Sequence, residues 1–432
     1  MKQFTAIVIG AGSRGMTYAN EMSKLPDKYS VTAVAEPIEI RRTTFAERFG
    51  IAPDKCYNSW TDILAQPKMA DIAFICTMDE MHYEPAMAAI EKGYDIVLEK
   101  PLAQSSEECV AIYKAARAKG VSVLACHVLR YTPFYKKVKK ILDSGKLGTV
   151  MSVIAAECVG DIHQSHSYIR GNWHSEIETT PMLLAKSCHD IDIIQWLVGK
   201  KFKAVQSFGE LTYFKEENAP EGSPVRCFEG NCPVADTCRY NCRRLYLENH
   251  GGNRGWFRGA STKYTAHHEP PTDDEVIEAL RTGDYGLCVF HANNDVVDHQ
   301  VVNMQFDGGA TCSFSMNAFN MGGRYIRIFG TLGELTAYAA DRDIRVHVFG
   351  KDEELIPVIG TEESILGGHG GGDGGMIYDI YDYFCGNGNN SVPDIYDSVA
   401  NHLVGYAAER SRHENSVVDI DEYFREFGIE NK

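Results

Sequence analysis

Apolar and amphipathic stretches alternate through the first part of the chain. Phe4–Ile9 is apolar, residues 14–24 repeat apolar positions at helical spacing, and residues 31–35 are apolar again. Further strands are predicted at 72–77, 96–98 and 121–126, with further helices at 84–92 and 105–119. Strands this apolar, separated by helices, predict a parallel sheet covered on both faces.

The pattern changes near residue 150 to shorter runs in which apolar and polar residues alternate. These runs are residues 151–157, 204–214, 301–306, 311–316 and 326–330. They are typical of an antiparallel sheet, and Asp307-Gly308-Gly309 predicts a hairpin turn between two of them. We therefore expect an α/β chain with domains at 1–126 and 127–432, the second carrying an insertion at about 215–290.

Composition limits the possible partners. The 43 Lys and Arg against 59 Asp and Glu give a net charge of −16, which argues against nucleic acid or an anionic membrane surface. No apolar run is long enough to span a bilayer, and the N-terminus leads into a strand without a signal peptide. Scattered single cysteines in apolar runs favour a reducing compartment, so we expect a cytoplasmic protein.

A glycine-rich turn follows the first strand and opens the first helix. Its residues are Gly10, Gly12, Ser13, Arg14 and Gly15. In this context the spacing predicts a dinucleotide site, with the pyrophosphate at the helix N-terminus. Glu36 ends the next strand, where a carboxylate binds ribose hydroxyls and repels a 2′-phosphate. NAD is therefore favoured over NADP, although Arg41 and Arg42 weaken that preference.

Polar residues follow three other strands of the predicted parallel sheet. They are Thr77 with His82, then Glu99-Lys100-Pro101, then His127 with Arg130. Ligands bind beyond the carboxyl ends of such strands, so all are candidate site residues. Lys100 is either a desolvated acid–base group or one partner of an ion pair.

Residues 183–192, LLAKSCHDID, read as a buried helix that contains several chemically active side chains. His189 is either a packed core histidine or a proton-handling group. Lys186 and Asp190 have the spacing of a solvated ion pair on a helix. The residues alone leave these alternatives open.

Five segments together resemble the Gfo/Idh/MocA oxidoreductases, NAD(P)-dependent enzymes of sugars and cyclitols. They are GAGSRG, VAEP, MDEMHYEPAMAAIEKGYDIVLEKPLA, CHVLRYTPFY and CHDIDIIQWLVG. The resemblance implies an N-terminal Rossmann domain and a C-terminal α+β domain with an open mixed, mainly antiparallel sheet. It also implies a homodimer or homotetramer formed on one face of that sheet.

The resemblance assigns roles by position. Lys100 and His189 match the catalytic lysine and histidine and would bind substrate, while Thr77, His82 and Glu99 line the same cleft as the cofactor. One position departs from the family, because the aspartate that many members carry one turn before the histidine is Ala185 here. Lys186, which follows it, is a candidate replacement. Arg130 and His369 are further candidates for contacting the substrate.

Two segments lie outside the sheet pattern. Cys227, Cys232, Cys238 and Cys242 fall within sixteen residues of the insertion and suggest structural zinc, an iron–sulfur cluster or free thiols. Residues 366–373 surround His369 with glycines, which indicates close packing against a ligand or another chain, or else a hinge.

Three functions are consistent with these features. The first is NAD-dependent hydride transfer from a secondary hydroxyl of a sugar, sugar derivative or cyclitol. The second is a redox-neutral NAD-dependent glycosidase, because the glycine-histidine segment resembles one in such enzymes. The third is an NAD-binding regulator without catalysis, against which the intact Glu99-Lys100-Pro101 and Cys188-His189-Asp190 segments argue.

Overall fold

The N-terminal part of the computed structural model contains a parallel sheet of six strands. The model describes residues 2–248, 254–263, 267–268, 270–358, 368–387 and 391–432. The strands are β1 Phe4–Ile9, β2 Tyr29–Ala35, β3 Cys56–Tyr57, β4 Ile72–Ile75, β5 Asp95–Leu98 and β6 Val123–Ala125, in the order β3-β2-β1-β4-β5-β6. The helices are α1 Ser13–Ser23, α2 Glu39–Phe49, α3 Trp60–Ala65, α4 Tyr83–Glu91 and α5 Ser106–Lys119.

Burial explains which of these elements the sequence pattern revealed. Strand β4 is buried at every position and β5 at all but its first, and β1, β4, β5 and β6 pair in parallel, as predicted. The pattern missed α2, in which only Phe45 is buried among mostly polar residues. It also missed β3, which is two partly exposed residues long. These elements lie at the edge of the sheet, so they leave little apolar signal.

The second sheet has nine strands in the order β14-β13-β12-β11-β7-β10-β9-β8-β15. Its strands are β7 Val150–Cys158, β8 Phe202–Glu210, β9 His299–Phe306, β10 Thr311–Asn317, β11 Gly323–Gly330, β12 Gly333–Tyr338, β13 Asp343–Val348, β14 Glu354–Pro357 and β15 Val418–Asp419. Only β7 and β10 pair in parallel, which confirms a mixed, mainly antiparallel sheet. Gly308 and Gly309 take positive φ in the predicted hairpin turn between β9 and β10.

Further helices follow the first sheet along the chain. They are α6 Pro133–Asp143, α7 Asp161–His163, α8 Met182–Ala185, α9 Cys188–Val198, α10 Cys242–Tyr246, α11 Arg254–Ser261, α12 Asp273–Thr282, α13 Gly372–Phe384, α14 Ile395–Glu414 and α15 Ile420–Glu426. Helices α9, α14 and α15 pack against strands of the second sheet. The face of that sheet opposite its buried side chains leaves Ile154 and Phe208 exposed. That this face supports a homodimer or homotetramer stays a prediction.

The chain returns to the first domain after the second sheet is complete. Helix α13 packs against α1, and α14 packs against α5 and α9. The glycines of α13 permit close packing, since a Cβ at Gly374 would lie 2.9 Å from Glu21 Oε2 of α1 and one at Gly372 would lie 2.3 Å from the carbonyl oxygen of Val128. The sequence predicted that the glycine-rich segment packs closely against a neighbour. In the described part of that segment, the neighbour is the turn of the same chain that contains Val128. The sequence interpretation considered only a ligand, a second chain or a hinge.

Candidate active site

The glycine turn has the shape that a dinucleotide needs. Gly10 has φ +92°, and a Cβ there would lie 2.6 Å from the Cys76 carbonyl oxygen. A Cβ at Gly15 would lie 2.0 Å from the carbonyl oxygen of Gly10, so only glycine allows α1 to pack this close. A Cβ at Gly12 would meet nothing nearer than Arg41 Nη1 at 3.8 Å. Open space therefore lies beside Gly12, where a pyrophosphate would approach the backbone.

The groups around this turn fit the rest of the cofactor. Gly12 is the N-cap of α1 and provides no side-chain hydrogen bond to the first turn, which begins at exposed Ser13. The N–H groups of that turn can therefore bind an anion. The Glu36 carboxylate accepts hydrogen bonds from the backbone N–H groups of Ala11 at 2.8 Å and Ile38 at 3.0 Å. These bonds fix its oxygens beside the turn. The residues present thus fit an adenine dinucleotide with free ribose hydroxyls.

Arg14 and Glu99 belong to a network of charges next to the glycine turn, and their contact with the cofactor stays a prediction. Arg14 Nε lies 2.7 Å from Glu99 Oε1, its Nη2 lies 2.5 Å from Asp373 Oδ1, and Tyr18 donates to the same Glu99 oxygen. Glu99 is buried, and the charge of Arg14 together with that of Lys100 lowers its pKa against the desolvation that would raise it. Both residues, predicted to contact the cofactor, therefore join α1 and the end of β5 to α13.

His82 joins two segments that follow neighbouring strands. Its imidazole is fully buried, with Nδ1 2.6 Å from the Pro101 carbonyl oxygen and Nε2 3.1 Å from that of Thr77. The ring therefore joins the loop after β4 to the segment after β5, and its place in the cofactor cleft stays a prediction. Thr77 itself stays partly exposed at this edge of the sheet.

The predicted single helix over 183–192 is two helices. Helix α8 ends at Ala185 and α9 begins at Cys188, with Lys186 and Ser187 between them. Lys100 Nζ, which comes from the end of β5, donates to the Ala185 carbonyl oxygen at 2.7 Å. The interruption thus brings the strand-end lysine of one domain to the start of the helix that carries His189 in the other. Sequence periodicity could not reveal the interruption, because both helices keep their apolar positions.

His189 begins a row of three buried histidines. Its ring centroid lies 6.1 Å from that of His127, which lies 5.6 Å from that of His402. His402 Nε2 accepts from the Leu102 N–H at 3.0 Å, and its Nδ1 lies 2.7 Å from the Ser398 carbonyl oxygen. Burial lowers the pKa of His402 to about 3, so this ring is neutral. The row connects His189 to the segment that follows Lys100 and Pro101.

Lys186 belongs to a separate network of charges. Its Nζ lies 3.3 Å from Glu157 Oε1, and Arg324 contacts both Glu157 at 2.6 Å and Asp190 at 2.8 Å. Desolvation lowers the pKa of Lys186 and raises that of Asp190 to about 6. The solvated Lys186–Asp190 pair considered from the sequence is therefore wrong: both residues are held mainly by β7 and β11.

Arg130 is also held within the protein. It is 3% exposed, and its Nε and Nη2 bind Asp192 at 2.7 and 2.6 Å. Asn401 donates to the same carboxylate at 2.7 Å. This bidentate pair engages two of the three guanidinium nitrogens of Arg130, and its contact with a substrate stays a prediction. The side chain of His369 lies outside the described residues.

Sequence reasoning missed several polar groups beside Lys100. Trp173 lies with its ring centroid 5.9 Å from Lys100 Nζ, and its indole N–H donates to buried Asp79 at 2.8 Å. His163 lines a broad cleft with Asp161 and Trp256. Burial lowers the pKa of His163 well below its usual value, and the charge of Lys186 lowers it further. Trp173 and His163 lie outside the five segments that carry the family resemblance, and Asp79 lies within one, but only the fold shows that all three lie near Lys100.

Two family models cover almost the whole chain. The model for the oxidoreductase family, NAD-binding Rossmann fold, matches residues 4–127, and that for the C-terminal alpha/beta domain matches residues 139–420. The chain belongs to the Gfo/Idh/MocA oxidoreductase family. None of the helices that the structure describes in this family member is long and apolar enough to cross a bilayer.

Named relatives of this Gfo/Idh/MocA protein are distant. It is 23% identical to YteT of Bacillus subtilis, named as an oxidoreductase, over 83% of the chain and 84% of the relative. It is 24% identical to an inositol 2-dehydrogenase/D-chiro-inositol 3-dehydrogenase of Lactiplantibacillus plantarum, over 50% of the chain and 59% of the relative. The solved complex of levoglucosan dehydrogenase with NADH and levoglucosan superposes with a TM-score of 0.69 at 19% identity, covering 97% of this chain and 99% of that one.

Proposed function

We propose that the protein catalyses NAD-dependent hydride transfer from a secondary hydroxyl of a sugar, sugar derivative or cyclitol. The observation that carries the proposal is the 2.7 Å contact between Lys100 Nζ and the Ala185 carbonyl oxygen. It joins the nucleotide domain to the start of the helix bearing His189. The names of the relatives, which include dehydrogenases of a cyclitol and of an anhydro sugar, support this substrate class.

The cofactor would be held by the glycine turn, the first turn of α1 and Glu36. Bound there, NAD would supply the hydride acceptor. Glu36 favours a free 2′-hydroxyl over a 2′-phosphate, so we expect NAD to bind more tightly than NADP. Arg42, which could have opposed this preference, donates instead to the Glu36 carbonyl oxygen at 2.5 Å.

Lys100 and His189 would share the proton chemistry. The contact of Lys100 with Ala185 is to a neutral carbonyl, so its ammonium keeps donors for a substrate hydroxyl. His189 would take the hydroxyl proton as general base. The carboxylate absent from position 185 has a counterpart elsewhere, since His127 Nε2 lies 3.9 Å from Asp192 Oδ1 and its ring packs beside His189. His127 and Asp192 would then act as positioning residues for His189.

The first experiment is a substrate screen. Purified protein is given NAD with myo-inositol, levoglucosan and a panel of free sugars and glycosides, and NADH formation is followed. Lys100→Met and His189→Asn are then compared with wild type on the best substrate. Loss of turnover with NADH binding retained, measured by fluorescence titration, supports the assignment. Near-normal turnover by both variants would exclude it.

A redox-neutral glycosidase is the second candidate. Elimination and rehydration need acid–base groups beyond those of simple oxidation. His163 is a candidate, because it lines the cleft and the charges of Lys186 and Lys100 contribute to lowering its pKa. Cofactor stoichiometry separates the two functions. A dehydrogenase accumulates NADH in proportion to product, whereas the glycosidase releases aglycone with catalytic NAD and accumulates none. NADH binding without turnover of any compound would favour the regulator instead.

A further inference from the structure

A second site lies in the insertion, where cysteines line a cavity. Cys227, Cys232 and Cys238 line this cavity together with Cys288, which the sequence interpretation did not include. Cys288 reaches it because Arg226 and Leu287 form a β-bridge and the Cys288 N–H donates to the Val225 carbonyl oxygen at 2.8 Å. We call these four thiols, with Arg170, the cysteine pocket.

Arg170 gives the cysteine pocket an uncompensated positive charge. It is 2% exposed, its Nε donates to the Leu287 carbonyl oxygen at 2.7 Å, and its Nη2 donates to that of Tyr240 at 2.8 Å. Its third nitrogen, Nη1, is buried and has no hydrogen-bond partner among the described residues. A buried guanidinium that lines a cavity in this way requires negative charge nearby.

Thiols are the groups placed to supply that charge. The ionisable side chains that act most strongly on Arg170 are Tyr246 and three cysteines, and no carboxylate is among them. Neutral thiols would leave the guanidinium without a counter-charge, whereas thiolates bound to a metal centre would provide one. Cys242 lies behind the cavity wall, and its N–H donates to Cys227 Sγ at 3.4 Å, a bond that stabilises a thiolate.

The spacing of the sulfurs distinguishes between metal centres. Four thiolates around one zinc ion, at about 2.3 Å each, lie roughly 4 Å from one another. In the described part of the chain, no three of these sulfurs lie within 4.8 Å of one another, although such a group exists at Glu176, Glu409 and His413. Sulfurs spaced more widely around a cavity fit a polynuclear centre with four cysteine ligands.

We propose that the cysteine pocket binds an iron–sulfur cluster through Cys227, Cys232, Cys238 and Cys288. Arg170 balances its negative charge, and Cys242 donates a hydrogen bond to one ligand. The cluster holds the insertion together next to the cleft, where Trp256 of α11 packs 5.2 Å from His163 and Lys263 Nζ contacts Asn172 Oδ1 at 2.8 Å. Its role is structural and requires no electron transfer to the nicotinamide site.

The test uses the full chain, purified without oxygen and reconstituted with ferric iron, a thiol reductant and sulfide. Iron, acid-labile sulfide and zinc are quantified, and visible absorption is recorded. Wild type should bind iron and sulfide in equal amounts, about two or four of each per chain. Cys288→Ser should lose most of both, while Cys312→Ser, a buried cysteine on β10, should retain them. NADH binding by each variant confirms that the Rossmann domain is folded.

Further variants test the ligand set and the charge. Cys242→Ser should keep most of the cluster, and Arg170→Gln should bind it but release iron to a chelator at least several-fold faster. Stoichiometric zinc without sulfide, or failure of wild type to bind iron and sulfide, would overturn the proposal. A full cluster in Cys288→Ser together with its loss in Cys242→Ser would overturn the assignment of Cys288.

Discussion

Two lysines lie at the interruption between α8 and α9, and their surroundings differ. Lys100 comes from the Rossmann strand end and contacts a neutral carbonyl at 2.7 Å. Lys186, within the interruption, faces Glu157 at 3.3 Å in a network that includes Arg324 and Asp190. A cation whose direct hydrogen bond is to a neutral group keeps donors for a substrate, whereas one paired directly with a carboxylate stabilises the fold. The comparison supports the proposed catalytic role of Lys100 and favours a positioning role for Lys186.

The largest expected effect is on Lys100. Lys100→Met removes the donor to the substrate hydroxyl but keeps the length of the apolar part of the side chain. Turnover should fall by about 10³-fold, the range for loss of a positioned acid–base group. The affinity for NADH should change little, because the glycine turn and Glu36 are untouched. Steady-state kinetics and NADH titration check both statements, and a loss below tenfold would remove Lys100 from the chemistry.

Substitutions in the network around Lys186 should lower the free energy of unfolding. Arg324→Met leaves Glu157 and Asp190 buried with one cation fewer, which should lower the free energy of unfolding by about 3 kcal/mol. Arg327→Met is the matched control on β11, since its partner Glu334 is 27% exposed. That change should cost less than about 1 kcal/mol. Urea denaturation measures the free energy of unfolding of both variants. Equal decreases for Arg324→Met and Arg327→Met would contradict a structural role for the network around Lys186.

The pH dependence of stability tests the contact between His402 and the segment that follows Lys100. His402 binds the Leu102 N–H as a neutral ring, with its pKa lowered by burial from 6.5 to about 3. The unfolded chain therefore takes up a proton between these values that the folded chain does not, so this contribution is lost as pH falls below 6.5. His402→Gln should be less stable than wild type at pH 7. At pH 5 the difference in the free energy of unfolding between the two proteins should be smaller by roughly 2 kcal/mol. A difference that does not change with pH would mean that folding does not lower the pKa of His402.

The smallest effect is expected for Lys186. Lys186→Met leaves Glu157 paired with Arg324, so turnover should fall by about tenfold, through the position of α9 rather than through a lost donor. Lys186→Arg should restore most of that loss because the ion pair re-forms. If Lys186→Met matched Lys100→Met in turnover, the contrast between the two lysines would be wrong.

The sequence predicted the parts of the molecule that depend on local pattern. Apolar runs gave the buried strands, and glycine spacing gave the turn whose close contacts Gly10 and Gly15 require. What it could not predict depends on distant partners. The buried pair of Arg130 with Asp192 and the interruption after Ala185 arise from packing between segments far apart in the chain. Cys288 joins the cysteine pocket through the bridge between Leu287 and Arg226 and through its own N–H bond to the Val225 carbonyl oxygen.

The most direct test of the account is a double-mutant cycle on Lys100 and His189. Single-turnover rates of NADH formation are measured for wild type, Lys100→Met, His189→Asn and the double variant, with saturating NAD and the best substrate from the screen. Residues that act on one hydroxyl proton should be non-additive, so the double variant should be within about threefold of the slower single variant. Two losses that multiply, or a single variant with wild-type rate, would contradict a shared proton-transfer site.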